Sequence, residues 1–181
     1  MDNKGITYWI TGLSGAGKTT VGTLLYNHIR RMKPNVFNLD GDIGRKAYND
    51  KLGYTKQERL EGAYRNARVC KMITDQGIDV VCCTMSMFDA VREWNRENIE
   101  RYTEIFLNVP MDVLMKRDKK GIYSAAIQGR MKYVGGVDLE LEYPKSPDIT
   151  IVNDGTHSPE EVLAIILSDL QNSEQRFGEI S

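Results

Sequence analysis

Five short apolar runs, rich in β-branched or aromatic residues, recur along the chain: Ile6 to Thr11, Val36 to Leu39, Ile78 to Thr84, Glu104 to Val109 and Ile149 to Val152. Segments with helical spacing separate them, and this alternation predicts a parallel sheet with helices on both faces. Val21, Leu24, Leu25 and Ile29 fall on one face of a first helix that begins at Gly17 or Lys18 and ends near Lys33-Pro34. Thr55-Lys56-Gln57-Glu58 reads as a capping box opening a long helix to Gly77, interrupted at Gly62. A third helix covers about Phe88 to Asn98, with Phe88, Val91 and Trp94 on its buried face, and a short one follows Pro110. Ser158-Pro159-Glu160-Glu161 opens the last, with proline at the first helical position. Asp118 to Lys145 contains no clear strand and mixes basic residues with Gly121, Gly129, Gly135 and Gly136. At about 28 residues it is long for a plain connection and reads as a lid. The pattern therefore predicts one α/β domain over residues 1–172, a lid at about 118–145, and a polar tail, 173–181, that frays.

Composition narrows the function classes. Apolar residues at 41% and charged residues at 27% of 181 place the chain among soluble globular proteins of one domain. A formal net charge of -1 gives no general pull toward nucleic acid or anionic lipid, so neither is expected as a partner. Any anionic ligand must be held by a local site. Cys70, Cys82 and Cys83 form an odd set without a Cys or His pair at metal-ligand spacing, which predicts buried, inert thiols in a reducing cytoplasm. His28 and His157 read as surface or capping residues. Met-Asp-Asn-Lys lacks a signal-peptide profile, and no apolar run approaches the ~20 residues that span a bilayer, so a cytoplasmic location is expected.

The chemistry concentrates after the first apolar run. Gly12-Leu13-Ser14-Gly15-Ala16-Gly17-Lys18-Thr19-Thr20 contains G-x-x-x-x-G-K-T, the P-loop pattern. Its glycines let backbone N–H groups converge on phosphate oxygens, and the helix N-terminus adds positive potential. Lys18 reaches the outer phosphates and Thr19 can ligate Mg2+, so the expected ligands are ATP and Mg2+ in a P-loop NTPase-type sheet of about five strands. No guanine-reading Asn-Lys-x-Asp is present. The second run ends in Leu39-Asp40-Gly41-Asp42, two carboxylates at the carboxyl end of a strand, where open α/β sheets bind ligands. One can organise Mg2+ and water and the other accept a proton from an attacking hydroxyl; the alternative is a solvated turn with an Asx cap. Which Asp does which is open at this point, with Asp42 placed beside Thr19 at the metal. Taken alone, Arg45 and Arg59 suit surface ion pairs, Lys116 to Lys120 a solvated charged segment, and Tyr54 the core.

With Arg45, Leu52-Gly53-Tyr54 and Arg59 added to the P-loop and the Asp pair, the chain resembles the adenylylsulfate (APS) kinase family. The likeness continues through Ser86, Arg117-Asp118, Lys120-Gly121-Ile122-Tyr123, Lys132, Gly136-Val137-Asp138 and Glu142, about Tyr8 to Asp154. It implies transfer of the ATP γ-phosphoryl group to the ribose 3'-hydroxyl of adenylyl sulfate, as in sulfate assimilation. It also implies that Lys18, Asp40 and Asp42 serve catalysis, that Gly12, Ser14 to Thr20 and Arg117 hold ATP, and that Arg45, Tyr54, Arg59, Ser86, Lys120 and Lys132 face the acceptor. Ser86 matches a serine that is phosphorylated in some members. The family is commonly dimeric, so a homodimer is an expectation.

The departures cluster on the acceptor side. Glu61-Gly62 stands where the family has Glu-Asn, Met85-Ser86-Met87 where it has Ile-Ser-Pro, and Tyr133-Val134-Gly135-Gly136 where it has Asn-Phe-Thr-Gly. Stacking on a base contributes ~1–3 kcal/mol, so loss of one aromatic face permits another acceptor. Ser86-Met87-Phe88 resembles relatives that phosphorylate other nucleotides, notably cytidine diphosphoramidate in capsule modification. A non-catalytic nucleotide-binding module is the third alternative, opposed by the presence of Lys18, Thr19, Asp40, Asp42 and the basic lid residues.

Overall fold

A computed structural model describes residues 4–48, 51–118 and 120–178. Strands β1 (Thr7–Thr11), β2 (Val36–Asp40), β3 (Asp79–Cys83), β4 (Tyr102–Asn108) and β5 (Ile149–Val152) pair in parallel in the order β2-β3-β1-β4-β5. β1 is central, and the chain visits β2 and β3 on one side before crossing to β4 and β5 on the other. Strand order therefore reverses at β1, which opens a crevice outside its carboxyl end.

Helices α1 (Lys18–Met32), α2 (Gly41–Ala47), α3 (Lys56–Thr74), α4 (Asp89–Asn98), α5 (Met111–Arg117), α6 (Ile122–Ile127) and α7 (Pro159–Gly178) complete the α/β fold. Alternation along each strand sorts the core into two layers. Ile10, Val81, Cys83, Ile105 and Leu107 face Val21, Leu25 and Ile29 of α1 and Val162 and Ile166 of α7. Trp9, Val80 and Cys82 face Ala63, Ala67 and Cys70 of α3 and Val91 of α4. Trp94 packs at the edge of that second layer. All three cysteines are buried and unbridged, and burial pushes the Cys83 thiol up to about 12, so it remains neutral.

The structure departs from the sequence pattern at several points. Asp40 closes β2 and caps α2, a helix that the apolar pattern did not signal because only Gly44 of its residues is buried. The capping box at Thr55 and Glu58 is present, but α3 passes through Gly62 without interruption and ends at Thr74. β4 starts at Tyr102, two residues early. The lid segment contains α6, which Asp118 opens by accepting from the Tyr123 and Ser124 amides at 3.0 and 2.9 Å. In α1 the buried face is completed by Gly22. α7 is helical to Gly178, and the end of the expected tail, 179–181, lies outside the described residues. Among the described residues no helix is long and apolar enough to cross a membrane.

Two helical glycines give opposite predictions for one substitution. A Cβ on Gly22 would overlap the Cys83 sulfur and meet Ile10 Cδ1 at 3.5 Å, whereas one on Gly62 would meet only Leu52 Cδ1 at 3.8 Å. Gly22→Ala should cost about 1–3 kcal/mol by overpacking α1 against β3. Gly62→Ala should stabilise by up to about 1 kcal/mol through helix propensity. Denaturant unfolding of both variants checks this; equal and same-signed effects would contradict the packing described.

Candidate active site

The turn between β1 and α1 is a backbone cradle. Gly12, Gly15 and Gly17 have φ of 150°, 78° and 93°, which a side chain would strain, and a Cβ on Gly12 would come 2.6 Å from the Leu107 carbonyl oxygen. α1 has Gly17 as its N-cap, no side-chain cap and no acidic residue in its first turn. Its first N–H groups thus keep their capacity to donate, as phosphate oxygens require. Two side chains brace the loop from outside it. Tyr123 of α6 donates its hydroxyl to the Ser14 carbonyl at 2.7 Å, and Asn153 Nδ2 donates to the Ala16 carbonyl at 2.9 Å. Arg117 reaches the same corner through Nη2, 3.1 Å from the Asn153 carbonyl.

Lys18 folds over the cradle, its Nζ donating to the Gly12 and Leu13 carbonyls at 2.9 and 2.8 Å. Burial lowers its pKa to about 8, with the negative charge of Asp42 opposing that fall. Thr20 is exposed on the same turn of α1. Thr19 Oγ1 donates to Asp40 Oδ2 at 2.8 Å, while Asp40 Oδ1 accepts from the amides of Asp42 and Ile43 at 2.9 and 3.3 Å. Asp40 is thus 9% exposed and occupied on both oxygens. Asp40 makes the Asx cap of the alternative reading, but it is buried rather than solvated.

Asp42 is different. It is open to the crevice, and the lid's Lys120 donates to its Oδ2 at 2.9 Å. That bond holds the Asp42 carboxyl below the usual carboxylate range, aided by the charges of Lys18 and Arg45. The Lys120 and Asp42 side chains are 64% and 75% exposed, so the pair is worth under about 1 kcal/mol and either partner can be yielded to a substrate.

On the other side of Asp42, Arg45 and Arg59 set their guanidinium carbons 4.9 and 5.1 Å from the centre of the Tyr54 ring. Tyr54 is 58% exposed, which removes the core alternative. Arg45 also donates to the Leu52 carbonyl, and Arg59 donates to the carbonyls of Tyr54 and Tyr133, both at 2.9 Å. The last bond brings the lid onto α3. Tyr133 has φ 62°, and its amide and that of Val134 donate to the two Asp138 oxygens at 2.8 and 2.6 Å.

The expected residues are not all gathered. Lys132 is exposed on the lid, and Ser86 is 1% exposed with its hydroxyl lacking a hydrogen-bond partner among the described residues. Sequence reading missed Asn153 as a brace, although its place just after β5, at the carboxyl edge of the sheet, was a usable signal. Tyr123 was seen only as part of a motif. Among the described residues no group of three His, Cys, Asp or Glu side chains is placed to hold a metal ion. Thr19 with Asp40 offers one or two oxygens, the complement Mg2+ takes when phosphates supply the rest.

Comparison with known proteins agrees with this fold. The family model described as adenylylsulphate kinase matches residues 4–152. A cytidine diphosphoramidate kinase of Campylobacter jejuni is 35% identical over 170 residues, 94% of this chain and 99% of the relative. An adenylyl-sulfate kinase of Halothermothrix orenii is 37% identical over 153 residues, 84% of this chain and 83% of the relative. The Mycobacterium tuberculosis APS kinase solved in complex with AMPPNP and APS superposes with a TM-score of 0.85 at 28% identity, covering 93% of this chain and 98% of that one.

Charge states at the crevice predict the pH dependence. The ammonium of Lys18 is the form that meets phosphate, so kcat/KM for ATP should decline as pH rises through about 8, where the free protein loses that proton. A profile flat to pH 10 would contradict it. Because Lys120 holds the Asp42 pKa down, Lys120→Met should move the acidic limb of the acceptor kcat/KM profile to higher pH. An unmoved limb would mean that the pair does not set the Asp42 charge.

Proposed function

The chain belongs to the adenylylsulphate kinase family, ATP-dependent phosphotransferases with a hydroxyl acceptor, and from that membership we propose that it transfers the ATP γ-phosphoryl group to the 3'-hydroxyl of adenylyl sulfate. One observation carries the reading. Asp42 opens α2 two residues after Asp40, which holds Thr19, and three residues before Arg45, whose guanidinium lies over Tyr54, and its Oδ2 accepts from Lys120; this supports a place for it between the donor and acceptor halves. A carboxylate there, ionised at neutral pH, is placed to orient an acceptor hydroxyl and take its proton as the phosphoryl group leaves ADP.

The remaining roles follow from the contacts. Lys18 exchanges its carbonyl partners for the outer phosphates, and the cradle amides donate to the phosphate oxygens. Mg2+, when bound, neutralises the β and γ phosphates. We assign its protein oxygens to Thr19 and to Asp40, which holds the Thr19 hydroxyl, and not to Asp42 as sequence order suggested. Arg117 sits where it can flank the ATP base beyond Asn153. Arg45 and Arg59 meet the anionic part of the acceptor, and Tyr54 offers a ring for its base. Lys120, Lys132 and the rest of the lid enclose both substrates, excluding the water that would otherwise take the phosphoryl group. Three buried, unbridged thiols fit a cytoplasmic enzyme.

A second acceptor has its own support. The C. jejuni relative, matched over nearly its whole length, is a cytidine diphosphoramidate kinase. In this chain the wall beside Leu52 is opened by Gly62, and Val134 is buried at 3%, so the ring facing Tyr54 would have to come from Tyr133. A smaller pyrimidine base asks less of that second face.

An ADP-release assay with Mg-ATP, offering adenylyl sulfate and cytidine diphosphoramidate separately at equal concentration, decides the acceptor. Turnover favouring adenylyl sulfate is the expected result, and a tenfold or greater preference for the cytidine compound, about 1.4 kcal/mol, would overturn that choice. Lys18→Ala and Asp42→Ala should each reduce turnover about 10²- to 10⁴-fold with the fold intact. Retained activity in either variant would contradict the roles assigned.

A further inference from the structure

Away from the crevice, α4 covers a charged group that the transfer reaction does not use. Arg92 is 6% exposed and Glu104 of β4 is 2% exposed. Arg92 Nε lies 3.6 Å from Glu104 Oε1, and Arg96 Nη2 lies 3.1 Å from Glu104 Oε2 and 3.1 Å from Asp148 Oδ2. Asp148 in turn accepts the Glu104 amide at 2.7 Å. Such a buried pair adds little net stability, because desolvation cancels most of the attraction, and apolar replacements of similar volume are commonly as stable.

What Arg92 reaches beyond Glu104 gives it a use. Its Nη2 donates to the Glu142 carbonyl at 2.8 Å and to the Asp89 carboxylate. Glu142 is the point where the lid rejoins the domain. Its amide donates to the Met87 carbonyl at 3.1 Å, and its Oε2 accepts from the Asp89 amide at 2.7 Å, capping α4, whose own N-cap, Phe88, makes no side-chain bond. Its Oε1 pairs with Lys56 at 3.4 Å. One residue earlier, Leu141 packs so closely on Gly135 that a Cβ there would lie 2.8 Å from its Cδ1. Gly135 follows the Tyr133-Val134 turn that Arg59 grips.

Resting on the proposed transfer reaction, we propose that Arg92 is a positioning residue: anchored on Glu104, it fixes the Glu142 carbonyl and so sets where lid residues 133–141 descend on the acceptor half. It touches no substrate. Its effect passes through Glu142 and Leu141 to Tyr133, so the acceptor and the exclusion of water should feel its loss, and ATP binding should not.

The test is Arg92→Lys, which keeps a cation at Glu104 but loses the fork that spans to Glu142. The acceptor KM should rise about tenfold while the ATP KM changes less than about twofold, and a larger share of the ATP consumed should appear as inorganic phosphate. Amide hydrogen exchange over 133–142 should quicken. A variant that melts lower but keeps the acceptor KM, the hydrolysis share and the exchange rates of the parent would overturn the proposal. Should Arg92→Lys not fold, the double variant Arg92→Met with Glu104→Leu leaves no buried charge unpaired and must give the same signature. Exchange is read without turnover. If neither nucleotide accepts phosphate, the transfer reading falls, and parent-like exchange at 133–142 would still overturn the role of Arg92 independently.

Discussion

The hydrogen bond of 2.8 Å from Thr19 Oγ1 to Asp40 Oδ2 ties the start of the first helix to the end of the second strand, two strands removed from the first in the sheet. A parallel sheet gathers the carboxyl ends of its strands on one edge, and this bond fixes how two of them meet there. The same carboxylate caps α2, so the direction of that helix, and with it the place of Asp42 and Arg45, follows from one buried side chain. Lys18 lies one residue before Thr19 and is pulled into the cradle by the same turn. In the proposed reaction, donor chemistry and acceptor recognition thereby share one stretch of backbone.

The segment proposed as a lid contacts that frame at separate points whose strengths differ. Lys120 on Asp42 is exposed and weak. Tyr123 on the Ser14 carbonyl is 2% exposed and braces the phosphate loop from the lid side. Glu142, at the far root, is held by backbone, by the N-terminus of α4 and by Arg92. The gradient makes physical sense for an enclosing segment, since contacts that face substrate must be exchangeable and contacts at the roots must not.

Much of the fold was legible because burial on both faces of a parallel strand leaves an unmistakable apolar run, as at Ile78 to Thr84, and because Thr55 with Glu58 is a local signal of helix entry. α2 and α6 were missed for the opposite reason: they are short, largely exposed, and organised by the carboxylates of Asp40 and Asp118. Gly62 looked like a break, yet α3 packs through Ala63 and Ala67 against Trp9, and that burial outweighs the propensity cost of one glycine. At the site, the P-loop and the Asp pair could be read in order because each acts within a few residues of chain. The difference between Asp40 and Asp42, the contact of Arg45 and Arg59 with Tyr54, and the bracing by Asn153 and Tyr123 depend on residues far apart in sequence.

The most direct measurement is phosphorus NMR of the reaction mixture with Mg-ATP and each nucleotide in turn, which identifies where the γ-phosphoryl group arrives. A new phosphomonoester on the ribose 3'-oxygen of the acceptor, formed in step with ADP, is the predicted result. Inorganic phosphate as the sole product with both nucleotides, or a phosphate on any other oxygen, would contradict the role proposed for Asp42 between donor and acceptor.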